Sequence, residues 1–180
     1  DQHLLPLVDE SDLIIAAGYD PIEMRAGWHN PWGKKGKVIE FSAVPNTHYM
    51  HQSDLSFVGH IGEGLNTLRR GVSPGQVWKG DKHINVRNQL KSIFSGKDEW
   101  GPGVVIETVR EILPENGVAT VDSGAHRILL SQMWECYEPR GLLQSTGLCT
   151  MGCAVPLAMG FQLASPERPV VAFTGDAGLE

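Results

Sequence analysis

The sequence predicts an α/β fold made of two parallel-sheet, Rossmann-like units. Short uninterrupted apolar runs, such as 13–17 and 170–173, indicate strands, and the run at 13–17 is typical of a strand that a parallel sheet covers on both faces. These runs alternate with segments of helical periodicity, as in proteins built from strand–helix–strand repeats. A polar stretch interrupted by glycine and proline separates two groups of such elements. We therefore expect a first unit over residues 1–75, a linker over 76–100 and a second unit over 101–180.

The first unit is predicted to contain three strands and a helix. The strands are expected at 13–17, 38–41 and 55–58, and a loop rich in glycine, proline and tryptophan joins the first two. The helix is expected at 61–70, because apolar residues recur there at helical spacing and two arginines precede a glycine at its end. The linker is expected to contain one helix, at about 84–94.

The second unit is predicted to alternate between helices and strands. A helix with an apolar face begins at Pro102 and is closed by Pro114. Apolar runs then indicate strands at 118–121 and 170–173. The remaining helices are expected at about 125–134 and 152–164.

Composition and charge exclude several classes of protein. The chain has 180 residues, of which 41% are hydrophobic and 20% charged, as in ordinary globular proteins. Its formal net charge of -6 argues against a nucleic-acid or anionic-membrane partner. No run of 18 apolar residues is present, so no membrane span is predicted. Because the chain starts without methionine and stops just after a strand and a turn, we expect it to be a fragment of a longer protein.

The three cysteines, Cys136, Cys149 and Cys153, fit no disulfide framework or zinc motif. A metal pair at positions 149 and 153 is conceivable, but small buried thiols in a reducing compartment are the simpler interpretation. His48 and His51 could likewise chelate a metal, although no third ligand is evident. The glycines at 59–64 precede a helix in the wrong order for a dinucleotide fingerprint.

Two strands of the second unit end in turns that contain aspartate and glycine. These turns are 122–124 and 175–178, and ligands of parallel sheets bind at such strand ends. Small residues let the backbone approach a phosphate, and amide groups entering a helix hold anions. A carboxylate repels phosphate, so Asp176 makes sense as a Mg²⁺ ligand that bridges to phosphate oxygens. The alternative is that Asp176 only caps the following helix.

The order of motifs resembles the cofactor domain of thiamine-diphosphate enzymes, above all acetolactate synthases. The segment Gln144-Ser-Thr-Gly-Leu-Cys-Thr-Met-Gly152 precedes Pro156-Leu-Ala-Met-Gly160, and a strand then leads into Gly-Asp-Ala-Gly at 175–178. Asp-Ser-Gly-Ala-His at 122–126 is similar to the family's diphosphate segment. In the first unit, 12–23 is similar to the central domain of catabolic acetolactate synthases. The resemblance covers nearly the whole chain, most weakly at 71–100.

The resemblance implies a role for each matching residue. Asp176 is expected to bind Mg²⁺, and Met151 to be the apolar wedge that keeps the cofactor bent. The backbone carbonyl of Cys149 is expected to accept a hydrogen bond from the aminopyrimidine ring. The residues expected around the diphosphate are Ser123, Gly124, Ala125, His126, Gly175, Ala177 and Gly178.

The sequence departs from the family pattern at several positions. Cys149 stands where glycine is usual, so a side chain needs room there, and Ala125 stands where glutamine is common. Arg127 and the region of Glu180 also differ from acetolactate synthases. Tyr19 follows Gly18 where flavin-containing members more often have arginine, which makes FAD unexpected.

The resemblance implies decarboxylation of a 2-oxo acid, pyruvate, with carboligation, in a cytoplasmic homodimer or homotetramer. Another 2-oxo-acid decarboxylase or acyltransferase remains open, as do a non-catalytic nucleotide-binding module and a paralogue that has lost activity. From the resemblance we expect the activating glutamate and the second metal ligand of the family to lie outside these 180 residues. We therefore expect the fragment alone to be inactive and poorly soluble, because it exposes sheet edges that other strands should cover.

Overall fold

The structure is a computed structural model that describes residues 3–20, 29–33, 36–47, 50–73, 75, 78–95 and 100–179. The chain divides into two compact units, Asp1–Gln89 and Leu90–Glu180. Each unit contains one three-stranded parallel sheet with helices. The predicted α/β class with two parallel-sheet units is therefore confirmed. His48, Glu180 and the end of the 12–23 segment lie outside the described residues.

The first unit is built on one parallel sheet. Its elements are α1 (Leu5–Asp9), β1 (Leu13–Ala17), β2 (Lys37–Ser42), β3 (Leu55–Val58) and α2 (Ile61–Gly71). The strand order is β1-β2-β3, and the central strand carries the buried side chains Val38, Glu40 and Phe41. His60 caps α2, because its ring nitrogen Nδ1 accepts a hydrogen bond from the backbone N–H of Glu63 at 3.2 Å.

The expectation that β1 is buried on both faces is wrong for the described residues. Leu13 and Ile15 are 48% and 42% exposed, whereas Ala16 is 6% exposed. The physical reason is that β1 is an edge strand of this small sheet, so its apolar run lacks the cover that a complete doubly wound sheet supplies. A continuous apolar run therefore indicated the strand correctly but not its burial.

Helix α3 (Lys82–Phe94) follows a short 3₁₀ turn at Lys79–Asp81. The helix expected at 84–94 is thus present and begins two residues earlier. The boundary between the two compact units, after Gln89, falls within this helix. A linker over 76–100 stays a prediction.

The second unit contains four helices and three strands among the described residues. These are α4 (Pro102–Ile112), β4 (Val118–Val121), α5 (Ala125–Met133), β5 (Leu142–Gln144), α6 (Ala154–Ala164), β6 (Val170–Phe173) and α7 (Asp176–Leu179). The strand order is β5-β4-β6, again with all strands parallel. The strand β5 was not predicted because its three residues are too few to show a pattern. No helix in the described part of the chain combines the length and apolarity needed to cross a bilayer.

The central strand β4 organises the second unit. All four of its residues are fully buried, and α4 and α5 pack together on the core beside it. Trp134 closes that core, with its ring edge-on to Phe173 and its indole N–H donating to the carbonyl of Gly141 at 3.1 Å. Because Val121 pairs with Phe173 in parallel register, the residues after β4 and β6 emerge side by side at one edge of the sheet.

Candidate cofactor site

A buried carboxylate joins the strand ends of the second unit. Asp122 directly follows β4 and is 1% exposed. Its Oδ1 accepts a hydrogen bond from the backbone N–H of Ala154 at 2.6 Å, and its Oδ2 accepts one from Thr174 Oγ1 at 2.6 Å. Ala154 is the first residue of α6, so the negative charge also faces the positive end of a helix dipole. Asp122 thus fastens β4, β6 and α6 to one another.

The hydrogen bonds of Asp122 keep it ionised. Burial raises the pKa of the Asp122 carboxyl, but its hydrogen bonds, that from Thr174 first among them, lower the pKa by more. The pKa of Asp122 in the folded protein therefore lies below its usual value. The ionised Asp122 stabilises the fold at a pH above the pKa that it has in the unfolded chain. This stabilisation is lost as the pH falls through the pKa that Asp122 has in the folded protein.

The glycine turn after β6 packs directly on this carboxylate. The backbone N–H of Gly178 donates to the carbonyl of Gly175 at 3.1 Å. A Cβ placed on Gly178 would overlap Asp122 Oδ2 and lie 2.7 Å from Thr174 Oγ1. Only glycine can therefore bring the backbone this close. The amides that precede Gly178 in this turn lie at the start of α7, where an anion can bind.

The His126 ring lies between the two glycine-containing turns. A Cβ on Gly124 would lie 2.7 Å from His126 Cε1, and one on Gly175 would lie 3.4 Å from the same atom. The Nε2 atom of His126 is buried and has no hydrogen-bond partner among the described residues. A buried ring nitrogen without a partner is costly unless a ligand completes it. The structure therefore brings His126, Gly124 and Gly175 together, as the sequence motifs predict.

The loop before α6 bends through three left-handed residues. Gly147, Cys149 and Gly152 have φ values of 81°, 50° and 74°. A left-handed φ disfavours any residue with a Cβ, so the glycine that the family pattern places at position 149 would adopt it more readily than cysteine. The loop approaches the glycine turn, since a Cβ on Gly152 would lie 3.8 Å from the carbonyl oxygen of Gly178. The Cys149 side chain is accommodated against Arg127, whose Nη1 donates to Sγ at 3.1 Å.

The remaining residues expected at the site differ in exposure. Met151 is 59% exposed, and Asp176 is also exposed at the first position of α7. The Asp176 carboxylate makes no hydrogen bond or ion pair with the described residues, so the capping alternative is not seen. Ser123 and Ala177 lie on the same two turns, half-buried and exposed respectively, and Ala125 is exposed at the start of α5.

The cysteines form no disulfide or metal site in the described part of the chain. None of the three forms a disulfide, and no group of three His, Cys, Asp or Glu side chains that could hold a metal ion occurs there. Cys153 donates from Sγ to the carbonyl of Val121 at 3.7 Å. It therefore links the N-cap position of α6 to the last residue of β4.

A second polar cluster lies in the first unit. His51 is 4% exposed, and its Nε2 lies 3.3 Å from Glu40 Oε1, while Ser56 Oγ donates to Glu40 Oε2 at 3.1 Å. The cluster borders a cavity of about 500 Å³. His51 thus pairs with a carboxylate, and its expected chelating partner, His48, lies outside the described residues.

Comparison with known proteins agrees with this geometry. Residues 122–179 match the family described as "Thiamine pyrophosphate enzyme, C-terminal TPP binding domain". The chain is 26% identical over 181 residues to an acetolactate synthase of Bacillus subtilis (strain 168), covering 96% of this chain and 31% of that protein. It is 31% identical over 183 residues to the acetolactate synthase large subunit IlvB1 of Mycobacterium tuberculosis, covering 94% and 29%. The chain belongs to the thiamine pyrophosphate enzymes.

Likeness to acetolactate synthases of this family extends beyond the matched domain. A catabolic acetolactate synthase of Raoultella terrigena is 25% identical over 181 residues, which cover 96% of this chain and 32% of that protein. The chain spans about a third of the length of these curated relatives. The predicted recognition of the family is therefore confirmed.

The residues present fit thiamine pyrophosphate (thiamine diphosphate). His126 Nε2 offers a buried polar atom without a partner among the described residues, and the turn 175–178 is a cradle in which a Cβ on Gly178 would collide with Asp122 and Thr174. Sequence reasoning missed the part played by Asp122 and Thr174 in holding this turn. The sequence does show that a polar residue follows each of the strands β4 and β6. Only the register of these two strands, however, reveals that the two polar side chains meet.

Asp122→Asn should lower the free energy of unfolding by about 1–3 kcal/mol at pH 7, because an amide cannot accept both hydrogen bonds as a carboxylate does. The difference from the wild type should shrink as the pH falls below about 4, where the aspartate carboxyl becomes protonated, first in the unfolded chain. Urea unfolding followed by near-ultraviolet circular dichroism measures both effects. Glu167→Gln, an exposed substitution in the same unit, is the control. A difference between Asp122→Asn and wild type that does not vary with pH would contradict the assignment.

Proposed function

We propose that this chain is part of a thiamine-diphosphate-dependent enzyme that decarboxylates a 2-oxo acid, pyruvate, and joins the remaining fragment to a second carbonyl compound, as acetolactate synthases do. The proposal rests on one observation, which is that the segment matched by the family and the candidate cofactor site are the same part of the chain. The residues matched by the cofactor-binding domain are those in which His126, the glycine turn and the strand ends meet. Similarity to acetolactate synthases over 94–96% of the chain supports the choice of reaction.

When bound, thiamine diphosphate supplies the electron sink that allows CO₂ to leave a 2-oxo acid. The chain's own task is to bind and orient it. We expect His126 Nε2 to donate a hydrogen bond to a diphosphate oxygen, and the amides of Gly175 and Ala177, with the backbone of Gly178 beside them, to contact the same group. Ser123, Gly124 and Ala125 are proposed to approach it from the opposite turn.

Asp176 is the proposed Mg²⁺ ligand. Its carboxylate begins α7 in an exposed position beside the amides proposed for the diphosphate. Mg²⁺ in such sites takes one or two carboxylates and completes its shell with phosphate oxygens and water. A single aspartate in this turn therefore suits a metal that bridges protein and diphosphate.

The loop before α6 is proposed to hold the other end of the cofactor. The carbonyl of Cys149 is expected to accept a hydrogen bond from the aminopyrimidine ring. Met151 is expected to lie under the cofactor as an apolar wedge, which its 59% exposure leaves it free to do. Both residues would act by orienting the rings and excluding water, not by taking a proton.

We further propose that the whole protein is a homodimer or homotetramer in the cytoplasm and works without FAD. The family builds its active site between subunits and takes the activating glutamate from the neighbouring one. Tyr19 after Gly18 supports the absence of flavin. A yellow colour in the purified protein would contradict that part of the proposal.

The reaction is tested on the full-length protein with pyruvate, thiamine diphosphate and Mg²⁺. We expect consumption of pyruvate with release of CO₂ and accumulation of acetolactate, identified by mass spectrometry. Accumulation of acetaldehyde in its place would support the alternative of a simple decarboxylase. No consumption of pyruvate under these conditions would show the proposal to be wrong.

Asp176→Ala in the full-length protein should abolish the Mg²⁺-dependent part of thiamine diphosphate binding, because the metal loses its protein ligand. The fold should persist, since the Asp176 side chain is exposed. Isothermal titration calorimetry with and without Mg²⁺ measures the effect. Glu111→Ala, which removes an exposed carboxylate from α4, is the matched control. Unchanged affinity in Asp176→Ala would rule out the metal assignment.

Met151→Ala should reduce kcat by about a hundredfold, because a misplaced cofactor ring loses its reactive geometry. The affinity for thiamine diphosphate should change little, since the diphosphate contacts are untouched. Steady-state kinetics and calorimetry separate the two quantities. Met159→Ala provides the control, because Met159 is a similarly exposed methionine on α6. If the loss fell on affinity alone, Met151 would be a packing residue.

A further inference from the structure

Cys149 occupies a backbone conformation that its side chain opposes. Its φ of 50° lies in the left-handed region, which glycine adopts freely and cysteine does not. Some interaction must therefore favour this conformation over the alternatives open to an exposed loop. Hydrogen bonds within the loop include those from Leu148 N to Thr146 O and from Thr150 N to Ser145 Oγ, each 3.1 Å long.

The guanidinium of Arg127 donates hydrogen bonds to two side chains around this loop. Its Nη1 donates to Cys149 Sγ at 3.1 Å, and its Nε donates to Gln144 Oε1 at 3.1 Å. Gln144 is the last residue of β5 and Arg127 lies in the first turn of α5, so both are anchored in the sheet and its helices. The guanidinium is planar and rigid, so fixing Nε also fixes the direction of Nη1. Arg127 thereby ties the loop to the rigid part of the unit.

The position of Arg127 connects the two ends of the site. It directly follows His126, whose Nε2 lies at the glycine turns without a partner among the described residues. Through its contact with Cys149 it also reaches the residue whose carbonyl is proposed for the aminopyrimidine ring. We propose that Arg127 is a positioning residue that holds Cys149 in its left-handed conformation. Arg127 would in this way present the carbonyl of Cys149 to the cofactor, an inference that rests on the proposed function. Arg127 and Cys149, both departures from the family pattern, then form one functional pair.

The proposal is tested by combining Arg127→Met with Cys149→Gly in the full-length protein. With Cys149 in place, Arg127→Met should weaken thiamine diphosphate binding about tenfold, which corresponds to one charge-assisted hydrogen bond. In the Cys149→Gly variant the same change should weaken it less than about twofold, because glycine adopts the left-handed conformation unaided. Calorimetry measures all four affinities. Arg70→Met, an exposed arginine of the first unit, is the control.

Two outcomes of the affinity measurements would overturn the proposal. An equal loss with cysteine and with glycine at position 149 would mean that Arg127 contacts the cofactor directly. Full affinity for thiamine diphosphate in Arg127→Lys would mean that a positive charge is sufficient and that the two hydrogen bonds donated by the guanidinium are not needed. Loss in the lysine variant comparable to that in Arg127→Met supports the proposal.

Hydrogen exchange in the cofactor-free protein provides a readout that does not depend on the proposed function. Arg127→Met should speed exchange in the peptide 145–153 about tenfold and leave the strands β4 and β6 unchanged. Faster exchange throughout the second unit would indicate a general structural role and contradict the proposal. If the wild-type protein bound no thiamine diphosphate, the proposed function would fail, while this measurement would still decide whether Arg127 holds the loop.

Discussion

The second unit depends on one buried charge. The carboxylate of Asp122 is removed from water, and such a group is tolerated only where hydrogen-bond donors replace the lost solvent. Those donors come from the start of α6 and from the end of β6, and the glycine turn fits against the same oxygen atoms. The positions of the strand ends, the helix and the turn are therefore set together by the need to satisfy a single side chain.

Most secondary structure could be predicted from sequence because it depends on local pattern. The helix Ile61–Gly71 shows a helical period, a capping residue and arginines in its last turn, and all of these are local. Burial could not be predicted in the same way. The apolar run Leu13–Ala17 is a strand, yet its exposure depends on what packs against its two faces. The short strand Leu142–Gln144 owes its existence to pairing with β4, and no pattern of three residues records that pairing.

In the candidate site, too, the features that depend on continuous sequence could be predicted, and those that depend on contacts between distant residues could not. The segments around His126 and Gly178 could be recognised because each motif is continuous in sequence. The contacts of Asp122 with Thr174, and of Arg127 with Cys149, join residues far apart in the chain and depend on strand register and loop path. At position 149 the sequence indicated only that a side chain replaced glycine. The positive φ and the arginine beside it explain how the side chain is accommodated.

The loop before α6 exposes large apolar side chains to solvent. Leu148 is 93% exposed and Met151 is 59% exposed, although both are apolar. A ligand whose rings cover them would release the water that surrounds these side chains. Such a release gives binding a negative heat-capacity change, so the binding enthalpy would become more favourable as temperature rises. Covering these exposed apolar side chains would thus give cofactor binding a negative heat-capacity change that hydrogen bonds to the diphosphate alone would not produce.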